Sequence, residues 1–467
     1  MTLHDVLGGL QIAFMVYFFG YGACYLVLNL LAFIQITRSQ YRREYDALTE
    51  TYSELKPPVS ILVPAYQEEG SIVTTVRSLL QLTYPTFEII VINDGSRDRT
   101  LANLQEAFAL TPFPEAYRVQ LETQPIKGFY RSTQYPNLRV IDKENGGKSD
   151  SLNAGLNAAR HALFCAIDAD SILQRDSLQE IVKPFLEDPD TVASGGSIRV
   201  ANGCVVKGGY LLHVGLPKNP LALFQIPEYL RAFLFGRMGW DPLNALLIIS
   251  GAFGMFRTET VIEVGGYARH TIGEDMELIV RMHRTLRLAG KPYRIAFAPY
   301  PVCWTEVPED LRSLINQRSR WQRGLCESLL KNRDLFLHPR GGLVGWVAFP
   351  FMVVFECLGP AIEVAAYLTI AASLALGAMS GEALSWFLFL AVGFGMLVSA
   401  SCLFLEEIVF HSYPRLRQVL AIFGLALLEN LGYRQLNAFM RLKGLLNWLG
   451  GRQAQWGTIK RSASWSS

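Results

Sequence analysis

The two ends of the chain are too apolar for an ordinary soluble protein, and this feature constrains the fold more than any other. The segment from Leu10 to Ile36 contains no charged residue and exceeds the about 20 residues that a helix needs to cross a bilayer. No small-residue cleavage site follows it, so residues 1–37 are interpreted as a retained transmembrane helix and not as a signal peptide. Positive charges lie on its C-terminal side, at Arg38, Arg42 and Arg43. The positive-inside rule therefore predicts that the chain enters the cytoplasm after residue 37.

A second apolar region, residues 341–450, is predicted to hold interfacial and transmembrane helices. The stretch from Gly341 to Gly381 has two acidic residues and two prolines, Pro350 and Pro360, which we interpret as breaks. It predicts a short interfacial piece followed by a membrane span. The uncharged stretch from Ala383 to Leu405 predicts another span. The shorter stretch 418–433 has basic residues on both sides, and it predicts either a further crossing or a helix in the membrane plane.

Residues 57–335, between these regions, have the pattern of an α/β domain. Short runs rich in Val and Ile alternate with helical spacing, which predicts a Rossmann-like, mostly parallel sheet covered on both faces. The runs are VSILVPAY (59–66), FEIIVIND (87–94), LRVIDK (138–143) and ALFCAIDAD (162–170). The segment 111–136 breaks this rhythm and is interpreted as an inserted loop. The net charge of +2 gives no sign of nucleic-acid binding, and the seven cysteines, which form no CxxC pair, are interpreted as reduced packing residues.

Acidic residues follow three of the predicted strands, at the sheet edge where such folds bind ligands. Asp168 and Asp170 are two residues apart, so on a strand both carboxylates would share one face. Such a pair suits a hard cation such as Mg²⁺ or Mn²⁺, which can also hold a diphosphate. Asp94 ends another strand and suits a base or ribose contact, and Glu68 lies just past the first strand. Each of these aspartates also has a plain alternative, because Asp is common in turns.

Three further motifs suit a phosphorylated substrate, and each has a structural alternative. In NGGKSD (145–150), Lys148 stands at the start of a predicted helix and suits a phosphate, or it is a solvated lysine of a helix-entry loop. In Gly-Glu-Asp (273–275), the carboxylates suit a general base, or they only complement the helix dipole. In QRSRWQRG (317–324), Gln317, Arg320 and Trp321 share one helical face and suit a diphosphate and a sugar ring. The alternative is a basic amphipathic helix at the membrane surface.

Together these motifs, in this order and beside membrane spans, resemble a known family. Residues 57 to about 330 resemble the GT-A domain of membrane-embedded family 2 glycosyltransferases, and especially the processive synthases of cellulose, hyaluronan, chitin and poly-N-acetylglucosamine. The resemblance rests on PAYQEEG, the Asp of NDGS, GGKSDSLN, DAD, GED and QRSRW. One departure is Gly273, because cellulose synthases have Thr-Glu-Asp at this triplet, and it leaves the sugar preference open.

The resemblance implies a role for each matching residue. Asp275 would be the catalytic base, with Glu274 beside it, and Asp168 and Asp170 would bind the metal, Mg²⁺ or Mn²⁺. SGAFGMF (250–256) falls where such enzymes contact the acceptor. The residues implied to bind the nucleotide sugar or the acceptor are Pro64, Tyr66, Glu68, Asp94, Lys148, Asp168, Asp170, Gln317, Arg318, Arg320 and Trp321.

The implied activity is an inverting transfer from a UDP-sugar to a glycan acceptor. It would build a β-linked polysaccharide at the inner membrane, processively and coupled to export. The chain would cross the membrane several times, with the catalytic domain in the cytoplasm. Accessory export or regulatory subunits would be further partners. Two alternatives are weighed. One is transfer of a single sugar to a lipid acceptor, which product length would distinguish. The other is an inactive transferase-like scaffold, which would have no need to keep Asp94, Asp168, Asp170 and Asp275 together.

Overall fold

The computed structural model describes residues 3–46, 56–413 and 415–451. Its centre is a mixed sheet of ten strands in the order β3-β4-β5-β2-β1-β6-β11-β8-β12-β7, and β9 and β10 form a separate hairpin. The strands in chain order are β1 (Val59–Ala65), β2 (Phe87–Asp94), β3 (Leu110–Pro112), β4 (Ile126–Ser132), β5 (Leu138–Lys143), β6 (Leu163–Ile167), β7 (Ile172–Leu173), β8 (Thr191–Val200), β9 (Val205–Lys207), β10 (Tyr210–His213), β11 (Phe253–Arg257) and β12 (Arg294–Thr305).

Helices cover the sheet and extend from it into the apolar regions. In chain order they are α1 (Leu3–Asp46), α2 (Ile72–Leu79), α3 (Thr100–Phe108), α4 (Lys148–Ala158), α5 (Ser177–Ile181), α6 (Lys183–Glu187), α7 (Pro220–Leu230), α8 (Gly236–Trp240), α9 (Thr258–Glu263), α10 (Glu274–Leu288), α11 (Leu311–Lys331), α12 (Phe349–Phe351), α13 (Gly359–Ala375), α14 (Gly381–Leu388), α15 (Phe394–Val409), α16 (Leu416–Leu428) and α17 (Tyr433–Leu449). Turns of π-helix adjoin α7, α12 and α15, at 231–235, 344–348, 352–357 and 389–393.

The predicted parallel strands form the middle of the sheet. β1 pairs in parallel with β2 and β6, and β2 pairs in parallel with β5. Every residue of β6 is buried, as expected for a strand covered on both faces. The Val- and Ile-rich runs therefore predicted the strands that carry the acidic residues.

The interpretation of 111–136 as an inserted loop was wrong in part. Residues Ile126–Ser132 form β4, which pairs antiparallel with β5, and β3 continues the same edge of the sheet. Most of β4 is only half-buried, and its sequence, IKGFYRS, has neither a continuous apolar run nor a clear alternation. An antiparallel edge strand of this kind has little hydrophobic signal.

Two helices are long and apolar enough to cross a membrane, within the part of the chain that the structure describes. They are Leu3–Arg38 and Gly381–Val409, in the two regions where spans were predicted. The helices Val344–Cys357 and Gly359–Ala375 together form a broken span or a re-entrant loop, bent by 46°. The break lies next to Pro360, as predicted, whereas Pro350 is accommodated between π-helical turns. The stretch 418–433 contains α16, which is apolar but short.

Candidate functional site

A cavity of about 1020 Å³ opens at the carboxyl ends of β1, β2 and β6. Helices α10 and α11 and the segment 305–310 form its other walls. The location agrees with the rule that sheets of this kind bind ligands beyond the ends of their parallel strands. The predicted site residues that line the cavity are Pro64, Tyr66, Glu68, Asp94, Lys148, Asp168, Asp170, Glu274, Asp275, Gln317, Arg320 and Trp321. Of all the predicted site residues, Arg318 alone does not line it.

Asp94 holds the glycine loop 145–147 in place. Its carboxylate accepts hydrogen bonds from the Lys143 Nζ (2.6 Å), the Asn145 Nδ2 (3.0 Å) and the backbone N–H groups of Gly146 (3.0 Å) and Gly147 (2.8 Å). The backbone of Gly147 has a φ of 88°, a conformation that favours glycine. Asp94 therefore shapes the loop that leads into Lys148, and its side chain is only 4% exposed.

Lys143 is a site residue that sequence reasoning missed. It ends β5 fully buried, and its Nζ also lies 2.7 Å from the Asp150 carboxylate. A lysine at the end of the apolar strand LRVIDK, opposite Asp94 in the parallel register, was the signal that could have found it. The buried lysine connects β2, β5 and the first turn of α4, and it thereby stabilises the backbone from which Lys148 extends.

Lys148 connects the two acidic motifs. Its Nζ lies 2.6 Å from Asp168 Oδ1 and 3.3 Å from Glu274 Oε1, and it donates to the Gly251 carbonyl oxygen at 3.3 Å. Burial by itself would lower the pKa of Lys148, but the carboxylates of Asp168 and Glu274 outweigh that effect and raise it well above its ordinary value. Lys148 is therefore a permanent cation between the strand-end aspartates and the helix that carries Asp275.

Asp168 and Asp170 lie just past a strand and not on it. β6 ends at Ile167, and both aspartates belong to the turn that leads to β7. The same-face argument from strand spacing was therefore wrong, although the turn brings both residues to the cavity. The Asp168 side chain is 32% exposed, whereas Asp170 is buried. No group of three or more His, Cys, Asp or Glu residues that could hold a metal occurs within the ranges the structure describes.

Asp275 stands at the start of α10 with a fixed orientation. Its Oδ2 accepts a hydrogen bond from the Gly251 N–H (2.9 Å), and its Oδ1 accepts one from the Met276 N–H (2.8 Å). A side chain at Gly251 would collide with the Lys148 Nζ, which an added Cβ would meet at 2.8 Å. The SGAFGMF segment thus brings its backbone between Lys148 and Asp275. Burial raises the pKa of the neighbouring Glu274, and Lys148 offsets part of this increase.

The glycine of the Gly-Glu-Asp triplet has a packing reason. A Cβ on Gly273 would lie 2.9 Å from the Cα of Gly324, which follows the QRSRW motif on α11. The start of α10 and the middle of α11 therefore approach each other backbone to backbone. This close contact holds Asp275 at a fixed position relative to Arg320 and Trp321, and it accounts for the departure from Thr at this position.

Arg318 points away from the cavity, which corrects its predicted contact with the diphosphate. It is almost fully buried, and its guanidinium donates to Glu228 Oε2 at 2.7 Å and to Gln225 Oε1 at 3.3 Å. The reason is helical geometry, because residue 318 lies about 100° around the helix from Gln317 and so leaves the face shared by 317, 320 and 321. Its Cζ lies 4.4 Å from the centre of the Trp321 ring, so Arg318 stabilises the position of that ring by a cation–π contact.

Three residues of the helical segment from α7 to α8 also line the cavity although no motif marked them. They are Tyr229, Phe233 and Arg237. The Phe233 ring packs edge-on against Trp321, with centroids 5.8 Å apart, and Tyr229 lies 6.3 Å from the same ring. The one available signal was a charged residue, Arg237, within the apolar sequence LFGRMGW. These residues form an aromatic wall around Trp321.

Comparison with known proteins agrees with this geometry. The profile of Glycosyl transferase family 2 matches residues 60–261, and that of Glycosyl transferase family group 2 matches residues 163–399, just over half of the chain. A poly-beta-1,6-N-acetyl-D-glucosamine synthase of Staphylococcus aureus is 30% identical over 281 residues, covering 60% of this chain and 56% of the relative. The synthase of the same name from Staphylococcus epidermidis is 26% identical over 275 residues, covering 59% of this chain and 56% of the relative. The chain thus spans a little over half the length of these curated relatives.

One solved structure shares the overall fold. It is a mannosyltransferase from Pyrobaculum calidifontis in complex with GDP-Man and Mn²⁺, with a TM-score of 0.52, 18% sequence identity, and coverage of 92% of this chain and 99% of the other. The prediction of an α/β GT-A fold flanked by apolar helices is therefore confirmed. Because two glycosyltransferase family 2 profiles match the chain, one of them over half of its length, the chain belongs to glycosyltransferase family 2.

Proposed function

We propose that this chain is an inverting glycosyltransferase that uses a UDP-sugar to build a β-linked polysaccharide at the inner membrane. In this proposal residues 57–335 are the cytoplasmic catalytic domain, and residues 1–37 and 341–450 anchor it in the bilayer. The observation that carries the proposal is the junction at Gly251, whose N–H orients Asp275 and whose carbonyl oxygen accepts from Lys148, the partner of Asp168. A donor held at the aspartates and an acceptor held at Trp321 would meet at this junction.

The chain's own residues supply a direct displacement. Asp275 removes the proton from an acceptor hydroxyl, and that oxygen attacks the anomeric carbon from the face opposite UDP. The bond from the anomeric carbon to the diphosphate oxygen breaks, and the electron pair leaves with UDP. Arg320, on the cavity side of α11, contributes positive charge to the leaving diphosphate. The aromatic wall around Trp321 offers a stacking surface for the acceptor sugar.

A divalent cation fits the donor side of the cavity. Asp168 and Asp170 offer hard carboxylate oxygens, and a nucleotide diphosphate would complete the oxygen ligands that Mg²⁺ or Mn²⁺ prefers. When bound, the cation supplies charge neutralisation of the departing diphosphate. The fold-related mannosyltransferase contains Mn²⁺ with its GDP-Man, which supports the proposal. Lys148 would then exchange part of its contact with Asp168 for the phosphates.

Partly buried ion pairs among the apolar helices support export of the product. The Arg434 guanidinium (α17) lies 3.4 Å from Glu363 (α13), and that of Arg441 lies 2.8 Å from Glu356. Arg434 and Arg441 border a small cavity of about 70 Å³ between α1, α13, α15 and α17. Ionisable groups inside membrane segments commonly mark substrate paths, and this cluster lies next to α11, which carries Trp321.

The proposal is tested by incubating the detergent-purified protein with a panel of UDP-sugars and Mg²⁺ or Mn²⁺. UDP-N-acetylglucosamine is the first donor to try, because the curated relatives are named poly-beta-1,6-N-acetyl-D-glucosamine synthases. We expect UDP release with one donor and a product of many sugar units. A product with one added sugar would contradict processive synthesis. A folded protein that released no UDP from any donor would contradict the whole proposal.

A further inference from the structure

Arg237 is a buried cation for which the described residues supply no carboxylate in direct contact. It lies on α8 and lines the cavity, yet it is only 4% exposed. Neither its Nε nor its Nη1 has a hydrogen-bond acceptor among the residues that the structure describes. Burial lowers the pKa of Arg237 to about 10, and the Asp275 carboxylate offsets part of that decrease. The side chain is therefore charged at neutral pH while two of its three nitrogen atoms have no acceptor among the described residues.

The other deeply buried arginines of the cytoplasmic domain have carboxylate partners. Arg199 lies 2.5 Å from Glu406, Arg318 lies 2.7 Å from Glu228, and Arg139 lies 2.5 Å from Glu88. An uncompensated charge in a folded interior is expensive, so folding alone would favour an apolar side chain at position 237. Such a local violation of packing rules is expected where a ligand supplies the missing partner.

The surroundings of Arg237 belong to the acceptor side of the cavity. Its guanidinium lies over the Phe233 ring, 4.5 Å from the centroid, and Phe233 in turn contacts Trp321. The ionised group with which it interacts electrostatically is Asp275, the proposed base. A ligand oxygen at Arg237 would therefore be close to the acceptor hydroxyl.

Helix α8 is mounted rigidly. A Cβ on Gly239 would meet the backbone oxygen of Leu28 at 2.6 Å, so this glycine lets α8 pack directly on the backbone of α1. Arg237, two residues earlier, is thus anchored to the N-terminal apolar helix. With its backbone packed on α1 and its guanidinium over the Phe233 ring, Arg237 is pre-organised for a ligand.

We infer that Arg237 is an acceptor-binding residue, which donates hydrogen bonds to a hydroxyl or amide oxygen of the acceptor sugar while Asp275 receives the proton of the attacking hydroxyl. This inference rests on the proposed function. It adds to the site a polar contact that complements the stacking surface at Trp321. Two groups then orient the acceptor, one by its ring face and one by its oxygen atoms.

The test compares Arg237→Met with Arg199→Met, a matched control that leaves Glu406 buried without its partner. Thermal denaturation is measured on the detergent-purified proteins without ligand. We expect Arg237→Met to melt at the wild-type temperature or above it, and Arg199→Met to melt below it. If Arg237→Met melts as low as the control, Arg237 is a structural residue and the inference is wrong.

Binding and kinetics then locate the contact. With a β-linked N-acetylglucosamine oligosaccharide as acceptor, we expect Arg237→Met to raise the acceptor KM roughly ten- to hundredfold, the effect of losing a hydrogen bond to a charged group. UDP affinity by calorimetry should stay within about twofold, since the donor contacts are elsewhere. Arg237→Lys should recover part of the acceptor affinity.

A loss of UDP affinity would place Arg237 on the diphosphate and overturn the inference. If wild-type protein releases no UDP, the proposed function fails, and the melting comparison still decides whether Arg237 is structural.

Discussion

Replacing Asp275 by Asn separates a catalytic base from a charge at a helix end. A general base contributes about 10²–10⁴-fold in rate, or about 2.7–5.4 kcal/mol at 1.36 kcal/mol per tenfold. A carboxylate that only complements the dipole of α10 contributes about 0.3–1 kcal/mol, and that contribution is to stability. The structure adds a further cost. Asn offers one oxygen to the N–H groups of Gly251 and Met276, so one of them loses its acceptor, at a cost of at least about 1 kcal/mol.

We therefore expect Asp275→Asn to fold, to melt slightly below wild type and to bind UDP normally, while its rate of UDP release falls at least about a hundredfold. The assay is UDP release alongside UDP-binding calorimetry on the same purified protein. The control is Glu259→Gln, because Glu259 is an exposed acid in the first turn of α9 that does not line the cavity. It should keep full turnover. Turnover of Asp275→Asn within a few-fold of wild type would refute the reasoning, and Glu274 would be the next residue to test.

Three further outcomes are expected. Chelation of divalent cations should abolish UDP release, and added Mg²⁺ or Mn²⁺ should restore it. Asp170→Asn should stay inactive even with added cation. Full activity of the wild-type protein in excess EDTA would contradict this. Burial raises the pKa of Asp241 to about 6 from 3.8, so the folded state binds the proton more tightly and the stability of the protein falls as pH rises between these values. Asp241→Asn should therefore raise the free energy of unfolding by up to about 3 kcal/mol at pH 7.5. Melting curves of wild type and variant that stay parallel from pH 5 to 8 would refute this. A cysteine in place of the exposed Tyr117 should resist an impermeant thiol reagent added to intact cells, because the catalytic domain is proposed to be cytoplasmic; strong labelling would disprove that orientation.

The strongly patterned parts of the fold could be predicted from the sequence. The central strands are continuous Val- and Ile-rich runs because they are covered on both faces, and the uncharged stretches are helices long enough to span a bilayer. β4 was missed because it is a half-buried edge strand whose stability comes from pairing with β5. Propensity and periodicity do not record pairing of that kind.

The site residues show the same contrast between local signals, which the sequence carries, and long-range contacts, which it does not. Residues in motifs, such as Asp168 and Trp321, line one cavity as the sequence led us to expect, although Asp168 lies in a turn and not on the predicted strand. Lys143 and Arg237 were missed because their importance depends on residues far away in the chain, Asp94 for the first and the cavity around Asp275 for the second. Arg318 shows the opposite error, because a motif was carried over whole although adjacent helical residues face different directions.

The buried Arg318 also connects the α/β domain to the C-terminal helix α17 through Glu228. Its partner Glu228 accepts a further hydrogen bond from the Tyr433 hydroxyl of α17 at 2.8 Å, and Asn437 of the same helix lies 3.2 Å from the other carboxylate oxygen. Any displacement of α17 would therefore act on Glu228, then on Arg318, and then on the Trp321 ring that lies above it. A buried ion pair tolerates little separation of its charges, so we expect a movement of α17 to shift Arg318 and the Trp321 ring with it. The helices that would carry the product outward thus hold the ring on which the acceptor would stack.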